Sequence, residues 1–479
     1  MVFSQPSFMV FLAVLLLLYA GASNYRQRAA VLLASSLIFY ATWKPAYLIL
    51  LMISVSINYW IYVGLTRTRS KQLLTWGLVI NLTLLGTLKY SGMAIDTLLA
   101  LLGTVGITAS IGAGHPWMDW ALPLGISFYT FHMLSVMIDV YRGQWTHPIS
   151  FRAWWLYVTF FPHMIAGPIL RASELVEQLE NLAPLKAEDL RLGALIFIAG
   201  LLKKVLFADN LAPLADELFS QPANLDFYTA WLATTAFSLQ IYFDFSGYSE
   251  MAIGLALMFG VTLPRNFRNP YISRSPREFW QRWHITLSRW LRDYLYISLG
   301  GNRHGLARNL ANLMITMLLG GLWHGAAWTF VVWGGLHGTY LVLHRLLLNL
   351  YERLDVTAGS IVDHTLSWLG WPATLLAVWF TWVFFRAPTF HDAWTISAAM
   401  LGLAPPSVEG PYVRSYVQIL LWGSLAFAFI EPSLERGLCV RLGKWGTVHF
   451  TVRGMTYACL LLLVIFFGGS SQKFIYFDF

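Results

Sequence analysis

The chain has 479 residues, 57% of them apolar and only 12% charged, where a soluble domain carries roughly 25% charged residues. Its net charge of +8 does not point to nucleic acid, because basic residues in so apolar a chain gather in cytoplasmic loops and beside anionic headgroups. Two cysteines, Cys439 and Cys459, exclude a disulfide framework and a cysteine-based zinc or redox centre; both are expected to pack within apolar stretches.

The predicted elements are spans. At about 20 apolar residues per membrane helix, the length suits an all-α polytopic membrane protein, one bundle with no separate soluble domain. Phe8–Tyr19 opens it. Ala20-Gly21-Ala22 has the small-residue spacing of a signal cleavage site, yet residues 1–7 hold no Lys or Arg, so a retained first span is expected. Ala29–Thr42, Tyr47–Leu65 and Leu73–Leu88 follow. Arg26 and Arg28 fall in the first loop and Arg67, Arg69 and Lys71 in the third. The second loop has only Lys44, and a long fourth loop, from Lys89 to about Trp120, has no arginine. This alternation predicts an external N-terminus with the first and third loops in the cytoplasm.

Ala121–Val140 is the next span, and then Trp154–Leu170 is interrupted by Pro162 and Pro168. Lipid cannot satisfy free backbone groups, so this stretch is expected to be re-entrant or tilted and shielded by protein. Leu192–Leu206, Phe227–Tyr242 and Gly247–Leu263 read as three further spans. Between the last two, Tyr242-Phe243-Asp244-Phe245-Ser246-Gly247-Tyr248 sets a carboxylate among aromatics, either paired with a nearby arginine or shaping a polar entrance. Asp139, Asp209 and Glu250 are likewise set in apolar surroundings.

From Arg265 to Arg308 nine arginines face two acidic residues, Glu278 and Asp293. Ser275-Pro276-Arg277-Glu278 is a helix-start signature: a capping serine, proline at the first position and glutamate three after the cap. Phe279, Trp283, Leu287, Leu291 and Leu295 then recur every four residues, predicting an amphipathic helix on the membrane surface. Leu310–Trp323, Ala326–Leu343, Leu366–Phe385, Val417–Ile430 and Tyr457–Phe467 complete about 11–14 transmembrane or re-entrant helices plus amphipathic surface helices. The bundle divides into N-terminal spans (1–120), a core (121–400) and C-terminal spans (401–479), with no internal repeat.

Of twelve histidines, His115, His147, His304, His364, His391 and His449 fall near loops or segment ends. His132, His163, His337 and His344 fit as hydrogen-bonded packing residues. His337 lies 13 residues after His324, nearly opposite on a continuous helix, so the two are not expected to share a site. His324 stands apart. It sits in Gly320-Gly321-Leu322-Trp323-His324-Gly325, with no charge between Arg308 and Arg345, and an ionisable group that deep is a functional candidate. A neutral imidazole can take a proton from a hydroxyl and remain tolerable at low dielectric; a structural histidine bonded to a carbonyl is the competing reading. His284, in Arg282-Trp283-His284 on the amphipathic helix, is the second candidate. No zinc-ligand spacing, phosphate-binding glycine loop or serine elbow is present.

Together, several stretches resemble the membrane-bound O-acyltransferase family. They are Phe161-Pro162-His163-Met164-Ile165-Ala166-Gly167-Pro168, Tyr242 to Tyr248, Arg265-Asn266-Phe267, Glu278 to His284 and Leu322-Trp323-His324-Gly325. The closing Phe474-Ile475-Tyr476-Phe477-Asp478-Phe479 is similar to the bacterial branch, whose members acetylate alginate or cellulose and, more distantly, D-alanylate teichoic acids. The resemblance implies a funnel-shaped bundle with a thin membrane floor in a bacterial inner membrane. It implies His324 as the essential histidine and His284 as the second histidine near the tunnel.

On that resemblance, His324 is expected to act as general base on an acceptor hydroxyl that attacks an acyl thioester, acetyl-CoA first. Arg282, Trp283, Trp323 and Asp244 are the candidate substrate contacts. No bound cofactor or metal is expected; the partners are membrane lipid, the thioester donor and periplasmic acetyltransferases, not nucleic acid. The product would be an O-acetylated exopolysaccharide, alginate before cellulose. The rivals are a family enzyme for another acyl group, such as D-alanine, and a transporter without chemistry, which would usually show inverted repeats.

Overall fold

The computed structural model describes residues 1–106, 122–165, 167–354, 360–403, 415–442, 450–467 and 474–475. Among them every regular element is a helix. The chain begins with α1 (Pro6–Gly21), α2 (Tyr25–Ala41), α3 (Pro45–Thr68), α4 (Lys71–Thr104) and α5 (Ile126–Arg142). The proline-interrupted stretch makes α6 (Phe151–Thr159) and the single turn α7 (Phe161–Met164), followed by α8 (Ala172–Glu180). Next, α9 (Ala187–Leu202) runs through a π-helical turn at Lys203–Ala208 into α10 (Asp209–Phe219), and α11 (Phe227–Met258) returns beside it. The arginine-rich region holds α12 (Pro276–Arg282) and α13 (Ile285–Trp290). After it come α14 (Gly305–His324), α15 (Trp328–Arg353), α16 (Ile361–Arg386), α17 (Phe390–Met400), α18 (Ser415–Leu442) and α19 (Phe450–Phe467).

Four stretches among the described residues, Pro45–Thr68, Lys71–Thr104, Thr365–Arg386 and Val417–Leu434, are long and apolar enough to cross a membrane. The all-α polytopic architecture is as expected, but several boundaries differ. Phe227–Tyr242 and Gly247–Leu263 are not two spans: α11 is one helix of 32 residues that carries Asp244 through its middle. The carboxylate interrupts the apolar pattern without interrupting the helix, because a buried lysine neutralises it. Similarly, Lys89 does not open a loop. It lies halfway along α4, a helix of 34 residues. Cys459 is exposed on α19 rather than packed inside, and the side chain of Cys439 lies outside the described residues.

Two contacts organise the centre. The first is the α9–α11 crossing, where Gly193 faces Gly254 and Gly200 faces Gly247. Each pair is seven residues, two turns, from the next, so one face of each helix presents bare backbone and the axes approach closely. A Cβ at any of the four would run into the opposing helix.

The second is a buried ion-pair network. Lys203 meets Glu250 and Glu431, while Lys204 meets Asp209 at 2.7 Å and Asp244 at 2.8 Å. Tyr242 donates to Glu431 at 2.6 Å. Asp244 also accepts the backbone N–H of Ile475 at 2.7 Å, so its partners include a lysine from outside 265–308 and the backbone amide of Ile475. Beside it Phe474 packs on Tyr248, ring centroids 4.5 Å apart. Of the closing aromatic motif only Phe474 and Ile475 lie among the described residues. Charges removed from water are tolerable only when paired in this way.

The glycine crossing predicts that Gly200→Leu and Gly254→Leu each destabilise the protein by about 1–3 kcal/mol or more through overpacking. Gly86→Leu, where a Cβ meets open space, leaves the midpoint unchanged. Thermal unfolding in detergent micelles reads both outcomes.

Candidate active site

The arginine-rich stretch does not form the continuous surface helix that its apolar period predicts. Its start is as expected: Ser275 caps α12 by accepting the N–H of Glu278 at 3.2 Å, and Glu278 reaches back to the N–H of Arg274 at 2.8 Å. The helix then stops at Arg282. Arg268 N–H donates to the Arg282 carbonyl and Ile285 N–H to the Asn266 carbonyl, both at 2.9 Å. The segment before α12 thus takes over backbone groups on either side of His284. Pinned between them, His284 adopts a left-handed conformation (φ 40°, ψ 55°), uncommon for a residue with a Cβ and typical of sites where surrounding structure imposes it. Phe279, Trp283 and Leu287 face inward and are buried, and so is His284, at 0% exposure.

Three donors converge on one oxygen beside it. The Oδ1 of Asn266 accepts the N–H of Thr286 at 3.2 Å, the hydroxyl of Thr286 at 2.9 Å and Nδ1–H of His284 at 3.2 Å. An amide oxygen only accepts, so the proton of His284 is on Nδ1 and its Nε2 carries a lone pair. That Nε2 is buried and has no hydrogen-bond partner among the described residues. Thr286 accepts in turn from the N–H of Ile169 at 2.9 Å, which ties the loop after Pro168 to the histidine.

His324 is the last residue of α14. Gly325 is extended (φ −161°, ψ 157°), and α15 folds back from Trp328 as the second arm of a hairpin. Close approach of the arms requires glycine at Gly321 and Gly334, which face each other. A helix end leaves its last carbonyls without intrahelical donors, and α4 supplies them. Lys89 Nζ donates to the carbonyls of Trp323 at 2.5 Å and His324 at 3.1 Å, and the Tyr90 hydroxyl donates to that of Leu322 at 2.8 Å. A cation at this end also suits the helix dipole.

The imidazole of His324, 4% exposed, lies edge-to-face with Trp323 and Trp333, each 4.9 Å away between ring centroids. Phe385 closes a third side at 5.3 Å. Trp323 also meets His284 at 6.0 Å, so one indole lies against both histidines. The hairpin overturns the expectation that His337 lies apart. The helix breaks after His324, and His337 comes back against Trp333 at 4.7 Å, with Nε2 bonded to Thr381 at 3.0 Å.

The other candidates are spread. Trp283 is buried against Trp382 at 4.9 Å. Arg282, half-exposed on α12, is bonded to Glu278 at 2.9 Å and to the Arg268 carbonyl at 3.1 Å. Asp244 belongs to the lysine network, one residue before Phe245, whose ring meets His284 at 4.7 Å. His132 and His163 are buried packing residues bonded to backbone groups of Leu170 and Tyr157, as expected. Asn266, Thr286, Lys89, Tyr90 and Trp333 were not singled out as site residues from the sequence. A lone lysine inside an apolar run was the available signal for Lys89; nothing in the spacing marks Thr286 or Trp333. Among the described residues no three His, Cys, Asp or Glu side chains converge as a metal-ligating group.

The sequence model of the membrane-bound O-acyltransferase family matches residues 139–386, which hold both imidazoles and the indoles between them. The chain belongs to that family and is an O-acyltransferase. Within it, the chain is 44% identical to the probable alginate O-acetylase of Azotobacter vinelandii over 408 residues, 84% of this chain and 78% of that protein. It is 38% identical to the probable alginate O-acetylase of Pseudomonas putida over the full length of both. To the peptidoglycan O-acetyltransferase of Helicobacter pylori it is 34% identical, over 97% of this chain and 94% of that one.

Asn266→Leu would leave three buried donors without an acceptor, at about 1–3 kcal/mol for each unsatisfied group. The expected result is a lower unfolding midpoint together with loss of the fixed His284 tautomer. ¹⁵N spectra of histidine-labelled protein report the tautomer directly, with His284→Gln identifying the resonance.

Proposed function

We propose that the chain transfers an acetyl group from a cytoplasmic thioester, acetyl-CoA, for O-acetylation of an exopolysaccharide, with His324 as general base. The observation that carries this is the placement of His324. An imidazole stands at the end of a helix inside the bundle, with two indoles and a phenyl ring against it. There it can accept a proton from a hydroxyl without being held permanently charged. The lone pair of His284, reached across Trp323, supplies a second acceptor that can orient the incoming hydroxyl.

Three relatives support the substrate class, two named for alginate and one for peptidoglycan, all sugar polymers that receive acetyl on oxygen. Alginate is the first choice and cellulose the second. The arginines of the first and third loops and of 265–308 suit a cytoplasmic face in a bacterial inner membrane. Donor entry there, with hand-over outside to periplasmic acetyltransferases, would place the two substrates on opposite sides of His324. Such positioning itself lowers the barrier. Trp323 borders the reacting groups in this arrangement, Trp283 backs them, and Arg282 and Asp244 act at the rim and in the supporting network.

His324→Ala is expected to reduce acetylation by about 10²–10⁴-fold, the usual contribution of a general base, in protein that still folds. Labelled acetyl-CoA supplied to membranes from expressing cells, with mass spectrometry of the polysaccharide, measures it. Unchanged acetylation in folded His324→Ala protein rules the base out, and labelling only from a D-alanyl thioester replaces the acyl group.

A further inference from the structure

His324 is bracketed by two buried donors that have nothing to donate to. The indole nitrogens of Trp323 and Trp333 are shielded from solvent and have no hydrogen-bond partner among the described residues. An indole N–H is a donor only; Trp145, Trp155, Trp280, Trp379 and Trp382 also bury theirs without a partner among the described residues, and what sets Trp323 and Trp333 apart is that both rings lie against His324. Trp333 is fully buried on α15 and Trp323 nearly so on α14, so the two arms of the hairpin each contribute one. Their rings stand at 81° and 76° to the imidazole, both 4.9 Å from it. Around Trp323, Phe128 and Phe131 are phenyl rings with no lone pair to offer; Trp333 meets Phe385, Trp280, Trp382 and His337, whose Nε2 is engaged with Thr381. Nor does Trp323 bond to His284, whose Nε2 is also without a partner.

We propose that the indole N–H groups of Trp323 and Trp333 form the site for the carbonyl oxygen of the acyl thioester and hold the oxyanion that develops on it. The inference rests on the acyl-transfer role of His324. As the acceptor hydroxyl oxygen attacks the thioester carbonyl carbon, its proton passes to His324. The carbonyl π pair moves onto oxygen, which becomes an oxyanion facing the two N–H donors. Collapse restores the C=O bond and breaks C–S, and the departing thiolate takes the proton back from His324. Donors fixed in a water-free site need no reorganisation as charge develops, which is why such groups act mainly on the transition state. The arrangement also matches the substrates' chemistry: unpaired donors for a carbonyl oxygen, an unpaired acceptor on His284 for a hydroxyl.

The test replaces N–H and keeps the ring. β-(3-Benzothienyl)alanine is introduced at Trp323 or Trp333 of the full chain, and acetyl transfer from acetyl-CoA to alginate is measured in membranes from expressing cells. Each replacement is expected to lower kcat by about 10²–10³-fold, as loss of one oxyanion donor does, with KM for acetyl-CoA little changed. The same replacement at Trp379, which packs against Tyr271, leaves kcat as it was. Wild-type kcat in both replaced proteins, or a loss confined to KM, overturns the proposal. His324→Ala, run alongside, separates the two ideas: if it abolishes transfer while the isosteres do not, the base stands and the oxyanion site falls. A readout without turnover is the tryptophan N–H band in ultraviolet resonance Raman spectra. A stable ketone analogue of acetyl-CoA should shift it in the wild type, with a smaller shift in each replaced protein; an unchanged wild-type spectrum counts against the assignment.

Discussion

A helix that ends inside a membrane protein exposes carbonyl oxygens where no water can reach them. In this chain the exposed end is that of α14, and its last residue is His324. Lys89 and Tyr90, from a helix more than two hundred residues earlier in sequence, cover those carbonyls. Because that cap comes from elsewhere, the chain after His324 is free of the usual helix-ending turn. It can extend through Gly325 and fold straight back as α15. Everything around the imidazole follows from this geometry, including Trp333, His337 and the aromatic wall of α16.

The buried ion pairs and the aromatic surroundings of His324 are two separate regions. The buried ions, Lys203, Lys204 and their four carboxylate partners, tie the π-turn between α9 and α10 to α11 and α18. They hold elements together, and the amide of Ile475 joins them. Around His324 the ring neighbours are instead aromatic. Its surroundings include indole and phenyl edges, the imidazoles of His284 and His337 and the Lys89 side chain at its backbone, and in so buried a place a hydrogen bond is stronger than in water. Phe245 joins the two regions, since it lies one residue from Asp244 and its ring meets His284 at 4.7 Å.

The same economy governs His284. A period-of-four apolar pattern drives Phe279, Trp283, Leu287 and Leu291 inward, and a regular helix would satisfy it. The backbone of Asn266 and Arg268 outcompetes the helix at one turn, and the break places an imidazole inside rather than at the surface. The competing bonds come from a loop, and loop-to-helix bonds leave no periodic trace in sequence.

Local chemistry was readable directly. The ratio of apolar to charged residues determined an all-helical membrane protein, prolines 162 and 168 determined the broken segment, and Ser275-Pro276-Arg277-Glu278 determined where α12 starts. His324 stands out as a candidate because an ionisable group in a long uncharged stretch is costly wherever it ends up. What the sequence could not decide was anything that depends on a partner far along the chain. In sequence Asp244 reads as a break between spans because its lysine is 40 residues away, and Lys89 as a loop residue because the carbonyls it caps lie beyond residue 320. His337 was placed on the far side of a helix that tertiary structure cuts in two. Each of these turned on which buried polar group finds which donor, and in a low-dielectric interior that pairing is settled only when the helices pack.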